Sequence, residues 1–380
     1  MAGKRRRVNG EITNYERPDG TWAGQYWVDT PRGSERKTIY GKTEEQVRKK
    51  LAKAIAERDV GVHFDARGMF VGDYLDYWME SYVKANVKPR TLENYEYIVR
   101  MHLRPALGKV KLDKLRPVHL QNLYTTKLAS GLSPRTVGLM HTIVKAALKR
   151  AVRWEFVYRN VADSAEPPKV PKKAVNVLTL PQVRIFLRTA QGERLEALYV
   201  AALTAGLREG ELLGLRWRDV NLEHGTLEVR QQLIRTREGR FFDTTKSGRG
   251  RDILMLPVTI LALKGHLQRQ REERASRGDL WQDYDLVFPT TIGTPMDVSD
   301  LTYRSFRPLL ERAGLPRIRF HDLRHTYATL MLRVNAHPRT VQDILGHAEI
   351  GITMDTYTHP SLDSQREPAR RLDELLRDRR

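Results

Sequence analysis

The 380-residue chain contains no cysteine. Disulfides, thiolate zinc sites and a cysteine nucleophile are therefore excluded, and any covalent chemistry falls to a hydroxyl, an amine or a carboxylate. Long hydrophobic runs are also missing: nothing approaches the ~18 consecutive apolar residues that would span a bilayer. The basic start MAGKRRRVNGEI leads into polar residues instead of a signal peptide's apolar stretch. The expectation is a soluble, cytoplasmic protein without a membrane partner. Acidic residues are scarce relative to basic ones, with 46 Asp+Glu against 66 Lys+Arg, a net charge of +20. Such an imbalance favours a polyanionic partner, and nucleic acid is the first candidate. No G-x-x-x-x-G-K-[ST] motif occurs, so nothing points to nucleotide hydrolysis.

The length suits two or three domains, each with its own core. Three short β-rich runs, EITNYE, TWAGQYWVD and ERKTIY, are separated by the turn signals RPDG and PRG and followed by EEQVRKKLAKAIAERD, a helix with Thr43 as N-cap and Gln46 completing a capping box. The expectation for residues 1–62 is a three-stranded sheet backed by a helix. Its basic residues, Lys4, Arg5, Arg6, Arg7, Arg32, Arg36 and Lys37, suit either a sheet face in a DNA groove or a solvated edge strand. Residues 69–162 turn helical in period and read as a four-helix bundle whose last helix opens with Ser133 as N-cap and Pro134 at the first position. DSAEPPKVPKKAVNV has neither period and reads as a basic linker over 163–176. Residues 177–380 resume with Thr179 capping a helix and stay mostly helical, interrupted by an inserted antiparallel sheet from GTLEVRQQL, GRFFDTTK and RDILMLP. The fold class is thus mainly α with small β-sheets.

Several polar groups stand out. In FHDLRHTYATLMLRV, with Leu323 at zero and about 100° per residue, Tyr327, Leu330, Met331 and Val334 form an apolar stripe, and Arg324 lies at its edge with His321 one turn earlier. A partly shielded arginine needs an anion, either a carboxylate in a helix-edge salt bridge or a phosphate. Arg208 follows the break at Gly206 in LYVAALTAGLREGELLGLRWRDV, at the start of a helical segment whose backbone N–H groups favour an anion. Lys246 lies in a turn between two strands, where a lysine is either solvated or reaches a ligand. Tyr357, hemmed by Asp355, Thr356, Thr358 and His359 in MDTYTHP, is either a half-exposed tyrosine or something more reactive. His321, Asp322 and His325 lack the inner glutamate of a zincin helix, so no metal site is expected.

Taken in order, T-A-G-L-R-E-G-E-L-L-G-L-R-W with Arg208, T-K-S-G with Lys246, H-D-L-R-H with His321 and Arg324, L-G-H with His347 and D-T-Y-T-H with Tyr357 resemble the tyrosine recombinase family, phage integrase type. The resemblance covers 177 to about 360; residues 70–161 resemble the family's core-binding domain, and the first 62 the arm-binding domain of its larger members. It implies that Tyr357 attacks a DNA phosphate to give a 3′-phosphotyrosyl link, with Arg208 and Arg324 on the phosphate. It further implies His321 as the base, Lys246 returning a proton to the leaving 5′-oxygen, and His347 hydrogen-bonding the phosphate or orienting the tyrosine. No cofactor is implied. The implied partners are double-stranded attachment sites, a homotetramer on DNA, and possible DNA-bending and directionality factors, in a bacterial host where the bound protein is nucleoid-associated. Leu372, Leu375 and Leu376 form a short tail stripe that docks in cis or in trans. The alternatives are a chromosome-dimer resolvase, a type IB topoisomerase and a non-cleaving DNA-binding regulator.

Overall fold

A computed structural model of the protein describes residues 13–30, 33–59, 68–171, 175–244 and 250–346, with residues 370, 371, 373, 374 and 376 of the tail. The chain is mainly helical with small antiparallel sheets and divides into two compact units, Met1–Lys172 and Lys173–Arg380.

The first unit opens with β1 (Thr13–Glu16), β2 (Trp22–Thr30) and β3 (Gly33–Gly41), antiparallel and adjacent in that order. The β1–β2 turn is closed by Asp19, whose carboxylate accepts from the Thr21 amide at 3.0 Å. The helix Glu44–Asp59 covers one sheet face through Tyr26, Leu51 and Ala54. Its start is tied twice: Thr43 Oγ1 accepts from the Gln46 amide at 3.3 Å, and Gln46 Oε1 accepts from the Lys42 amide at 3.2 Å. The return bond thus lands one residue before the N-cap that a capping box uses. Strand register puts Tyr15, Gln25, Trp27, Arg36, Thr38 and Tyr40 on the opposite face. Lys37 falls on the helix side; Lys4, Arg5, Arg6, Arg7 and Arg32 lie outside the described residues.

The bundle follows. Val71–Trp78 continues through a π turn, Met79–Val83, into Lys84–Asn86, and Pro89–Ile98 continues through Val99–Leu103 into Arg104–Leu107. Pro117–Ala129 and Pro134–Arg153 complete it, the latter capped by Ser133 Oγ accepting from the Thr136 amide at 3.2 Å. Tyr74, Trp78, Tyr124, Met140 and Ile143 fill the centre. The second π turn has a local cause. Pro105 has no N–H to donate, and the helix widens just before it so that the Arg104 amide reaches back to the Val99 carbonyl. The same device recurs in the second unit, where the Arg307 amide reaches Thr302 ahead of Pro308.

The second unit is built around Glu196–Thr204, a helix whose Ala197 to Leu203 are all buried, as a helix apolar on every side must be. Leu180–Ala190, Pro257–Arg277 and Asp322–Arg333 pack against it and Arg307–Arg312 packs on Leu180–Ala190, while the rings of Phe186 and Tyr199, Phe186 and Phe306, and Phe306 and Phe320 meet edge to face with centroids from 5.3 to 6.0 Å apart. The inserted strands are antiparallel and form two sheets: β4 (Val220–Asn221), β5 (Thr226–Val229) and β8 (Arg251–Leu254) in the order β4-β5-β8, and a separate hairpin of β6 (Gln231–Thr236) and β7 (Gly239–Thr244). Arg230 interrupts the run between β5 and β6, and β8 pairs with β5 instead of the nearer β7, a long-range choice that turn residues do not encode. Asp322–Arg333 and Pro338–Leu345 close the described part of the unit. Among the described residues no helix is long and apolar enough to cross a membrane.

Leu180–Ala190 begins with a complete capping box: the Thr179 amide donates to Gln182 Oε1 at 2.9 Å and the Gln182 amide to Thr179 Oγ1 at 3.4 Å. Thr179→Ala is expected to lower unfolding stability by about 1 kcal/mol while leaving the helix count unchanged, as read by urea denaturation and circular dichroism.

Candidate active site

The site forms where three loop ends of the second unit meet. Glu196–Thr204 stops at Gly206, which adopts a left-handed φ of 61°. A side chain there would collide with the Tyr327 ring, since a Cβ would lie 2.7 Å from it. The reversal delivers Arg208 as N-cap of the short helix Glu209–Leu213. Glu211, in the first turn, reaches back: its Oε2 accepts from the Arg208 amide at 2.8 Å and its Oε1 from Arg208 Nη1 at 2.6 Å. The helix-start amide expected to await an external anion is thus already bound to the chain's own carboxylate.

Arg251 approaches the same carboxylate from β8, donating from Nη1 at 3.1 Å and Nη2 at 2.6 Å. Arg324, on Asp322–Arg333, stands 4.0 Å from Glu211 Oε2. These residues converge again at the end of Pro338–Leu345. Arg251 Nε donates to the Ile344 carbonyl at 2.7 Å, Arg324 Nη2 to that of Leu345, and Arg208 Nη2 to that of Gly346 at 2.9 Å. A helix C-terminus carries unpaired carbonyls and partial negative charge, so guanidinium groups satisfy and stabilise it. Gly346 itself has a φ of 60°, and a Cβ there would lie 3.2 Å from Arg251 Nη1.

Arg324 departs from its expected place at the border of core and solvent. It is 2% exposed, and its Nη1 also donates to the Gly206 carbonyl at 2.5 Å. Of the expected apolar stripe Tyr327 is buried and Leu330 and Met331 partly so, but Val334 at the helix end is 72% exposed, and Gly206 and Leu345 roof over the edge at Arg324, which one helix's periodicity does not reveal. Arg208 keeps more access, with 23% of its side chain exposed, and each of its terminal nitrogens retains a second hydrogen for an outside anion.

His321 precedes the Asp322–Arg333 helix, with its ring 5.0 Å from that of His325 and nearly perpendicular to it. Burial, then the neighbouring His325, Arg324 and Arg319, push its pKa down to about 4, so the imidazole is neutral near pH 7. Asp322 is buried and holds Arg319, accepting from its amide at 2.8 Å and from Nη2 at 2.7 Å. Tyr327 is buried, and that burial raises its pKa, which holds its hydroxyl in the protonated, less nucleophilic form. Lys246, His347 and Tyr357 lie outside the described residues. The described partners place the flanks: β7 and β8 bracket Lys246 in sequence, and His347 follows Gly346 directly.

Two family models match the chain, the phage integrase family over residues 176–363 and the phage integrase N-terminal SAM-like domain over residues 70–128. The chain belongs to the phage integrase family. It is 28% identical over 347 residues to a XerC-like tyrosine recombinase of Caldanaerobacter subterraneus subsp. tengcongensis, covering 85% of this chain and 88% of that protein. It is 29% identical over 330 residues to an integrase of Streptomyces ambofaciens, covering 83% of each. Among solved structures it resembles the Tn1549 transposon integrase in complex with a circular intermediate DNA, with a TM-score of 0.68 and 25% identity over 80% of this chain and 100% of that one. The lambda integrase tetramer bound to a Holliday junction shares the fold at 18% identity and a TM-score of 0.58, covering 94% of this chain and 99% of that one. As a tyrosine recombinase of this family, the chain has two residues that motif reading passed over, Glu211 and Arg251. The spacing of Arg208 and Glu211 within one helical turn was the available signal for the first; nothing local marked the second.

Glu211 also makes a measurable thermodynamic prediction. Burial alone would raise its pKa, but hydrogen bonding and charge from Arg251, then Arg208, prevail and hold it at about 2 against an ordinary 4.5. Above pH 4.5 the carboxylate is charged in both folded and unfolded chains and its stabilisation is complete. As pH falls from there towards about 2 the unfolded chain takes up the proton first, and up to about 3 kcal/mol is lost. Urea midpoints between pH 5 and pH 3 are expected to fall more steeply for the native chain than for Glu211→Gln, which starts several kcal/mol lower because two buried guanidinium groups lose their counter-ion.

Proposed function

We propose that this chain is a site-specific DNA recombinase that cuts and rejoins double-stranded attachment sites through a covalent tyrosine link, integrating or excising a phage or mobile element. The observation that carries the reading is the convergence of Arg208 and Arg324, from distant parts of the chain, on one point beside the segment that leads to His347 and Tyr357. Phosphoryl transfer builds charge on the non-bridging oxygens, and fixed guanidinium donors lower that barrier.

In the proposed reaction the Tyr357 oxygen attacks the scissile phosphorus, forming a phosphotyrosyl bond to the 3′ end, while the bond to the 5′-oxygen breaks. A phenol with a pKa of about 10 needs a base, and His321 is assigned that role: it is uncharged near pH 7 and so open to a proton, and a negative phosphate beside it raises its basicity once DNA binds. Lys246 supplies a proton to the departing 5′-oxygen, and His347 hydrogen-bonds the phosphate or orients the tyrosine. Attack by a 5′-hydroxyl from a second duplex reverses these steps. One diester replaces another, so the exchange needs no nucleotide hydrolysis.

The domain roles belong to the same proposal: residues 69–162 grip the core site, 163–176 link, 177–380 cleave, and 1–62 bind a distal arm site. The outer face of β1–β3 supports the last of these. It presents Tyr15, Gln25, Arg36 and Tyr40, with Arg17 5.2 Å over the Tyr40 ring, a polar and aromatic surface suited to a groove. Net charge and the DNA complex of the Tn1549 relative support DNA as the partner; assembly as a homotetramer on that DNA, in the bacterial cytoplasm and with bending and directionality factors, completes the proposal.

Tyr357→Phe is expected to bind site DNA as the native chain does and to form no detergent-resistant adduct on nicked site DNA. Adduct formation by this variant would transfer the nucleophile elsewhere, with exposed Tyr303 next in line, and absence of adduct from the native chain would favour a non-cleaving regulator. Removal of residues 1–62 is expected to spare cleavage of an isolated core site but to reduce recombination of full sites, because the tethered module raises effective concentration. Equal recombination by the truncated chain would remove the arm-binding role.

A further inference from the structure

We propose that Arg251 is a positioning residue for the cleavage reaction: it sets Arg208 through Glu211 and, with the same guanidinium, holds the turn that precedes His347. The inference rests on the recombinase reading above. Its basis is geometric. Arg251 is 12% exposed at its side chain and divides its donors between two elements, giving Nη1 and Nη2 to the two oxygens of Glu211 and Nε to the Ile344 carbonyl. Glu211 uses the same two oxygens on the Arg208 amide and Nη1. One planar fork therefore spans the gap between the Glu209–Leu213 helix and the end of Pro338–Leu345.

This arrangement is out of reach for most side chains. A lysine offers a single compact charge and cannot meet a carboxylate's two oxygens and a carbonyl in fixed directions at once. A neutral side chain leaves Glu211 with Arg208 and the more distant Arg324, 4.0 Å away, and frees the carboxylate to pull Arg208 inward. The charged groups around Glu211 are Arg208 on its own turn, Arg251 from β8 and Arg324 from Asp322–Arg333, together with the Ile344, Leu345 and Gly346 carbonyls that those arginines bind. In sequence Arg251 stands five residues after Lys246, and it is the first residue of β8.

The test compares Arg251→Met, Arg251→Lys, Glu211→Gln and the Arg251→Met/Glu211→Gln double variant with the native chain. Three measurements are made: site-DNA affinity, single-turnover cleavage of a suicide substrate per folded molecule, and the NMR position of the Arg208 Nε–H signal without DNA. Affinity is expected to stay within about twofold, because DNA contacts are spread over the chain. Cleavage by Arg251→Met is expected to fall about 10- to 100-fold, the range typical when a group that orients a catalytic ligand is removed. Arg251→Lys should recover part of that loss, and the double variant should fall no further than the worse single variant, since both act through one link. The Arg208 signal should move in Arg251→Met. Native cleavage by folded Arg251→Met, additive losses in the double variant, or an unmoved Arg208 signal would each overturn the proposal. If Arg251→Met does not fold, the Arg251→Lys signal and cleavage rate decide in the same way. Lack of adduct from the native chain would instead sink the recombinase reading, while the NMR comparison still judges Arg251 by itself.

Discussion

A single buried carboxylate organises the catalytic unit. Glu211 has no exposed side-chain surface, and three guanidinium groups lie within 4.0 Å of it. Three cations gathered inside a protein repel one another strongly unless an anion is present, because the interior screens charge poorly. Glu211 supplies that anion from within the chain, which allows Arg208, Arg251 and Arg324 to be packed before any phosphate arrives. Its first-turn position lets it also satisfy the Arg208 amide, so one side chain serves both as helix cap and as counter-ion.

Among the described residues the carboxylate does not neutralise the cluster, since one carboxylate is paired with three guanidinium groups. The remaining attraction falls on the carbonyl end of Pro338–Leu345, where successive residues Ile344, Leu345 and Gly346 accept from Arg251, Arg324 and Arg208. The helix end and the cation cluster thus stabilise each other, and Gly346 permits the close approach because no Cβ intrudes. An excess of positive charge, held by rigid partners and partly open at Arg208, is the electrostatic condition for binding a phosphate diester. Burial, then His325, Arg324 and Arg319, keep His321 neutral. The proposed proton acceptor thereby stands beside the arginine proposed to hold the phosphate.

Local signals were read successfully where the physics is local. Thr43, Ser133 and Thr179 cap the helices they were expected to cap, because a cap depends on a hydroxyl and an amide three residues away. The β1–β3 sheet follows from alternation and turn residues, and the helical bundle from its apolar period. The π turns before Pro105 and Pro308 were legible in principle, since a missing N–H is a property of one residue. Partition of the inserted strands into two sheets was not, because β8 finds β5 across an intervening hairpin.

For the site, sequence alone determined which residues are candidates and what chemistry their types permit: arginines for a phosphate, a histidine for a proton, a tyrosine in polar company, and no thiol among the choices. Their order along the chain carried the family resemblance. Tertiary structure decided how deeply Arg324 is buried, that Glu211 fills the helix start beside Arg208, and that Arg251 joins them from a separate strand. The physical reason is the range of the interactions. A period or a cap is settled within one helical turn, whereas the environment of a charge is settled by whichever distant carbonyls and carboxylates the fold brings within a few ångströms of it.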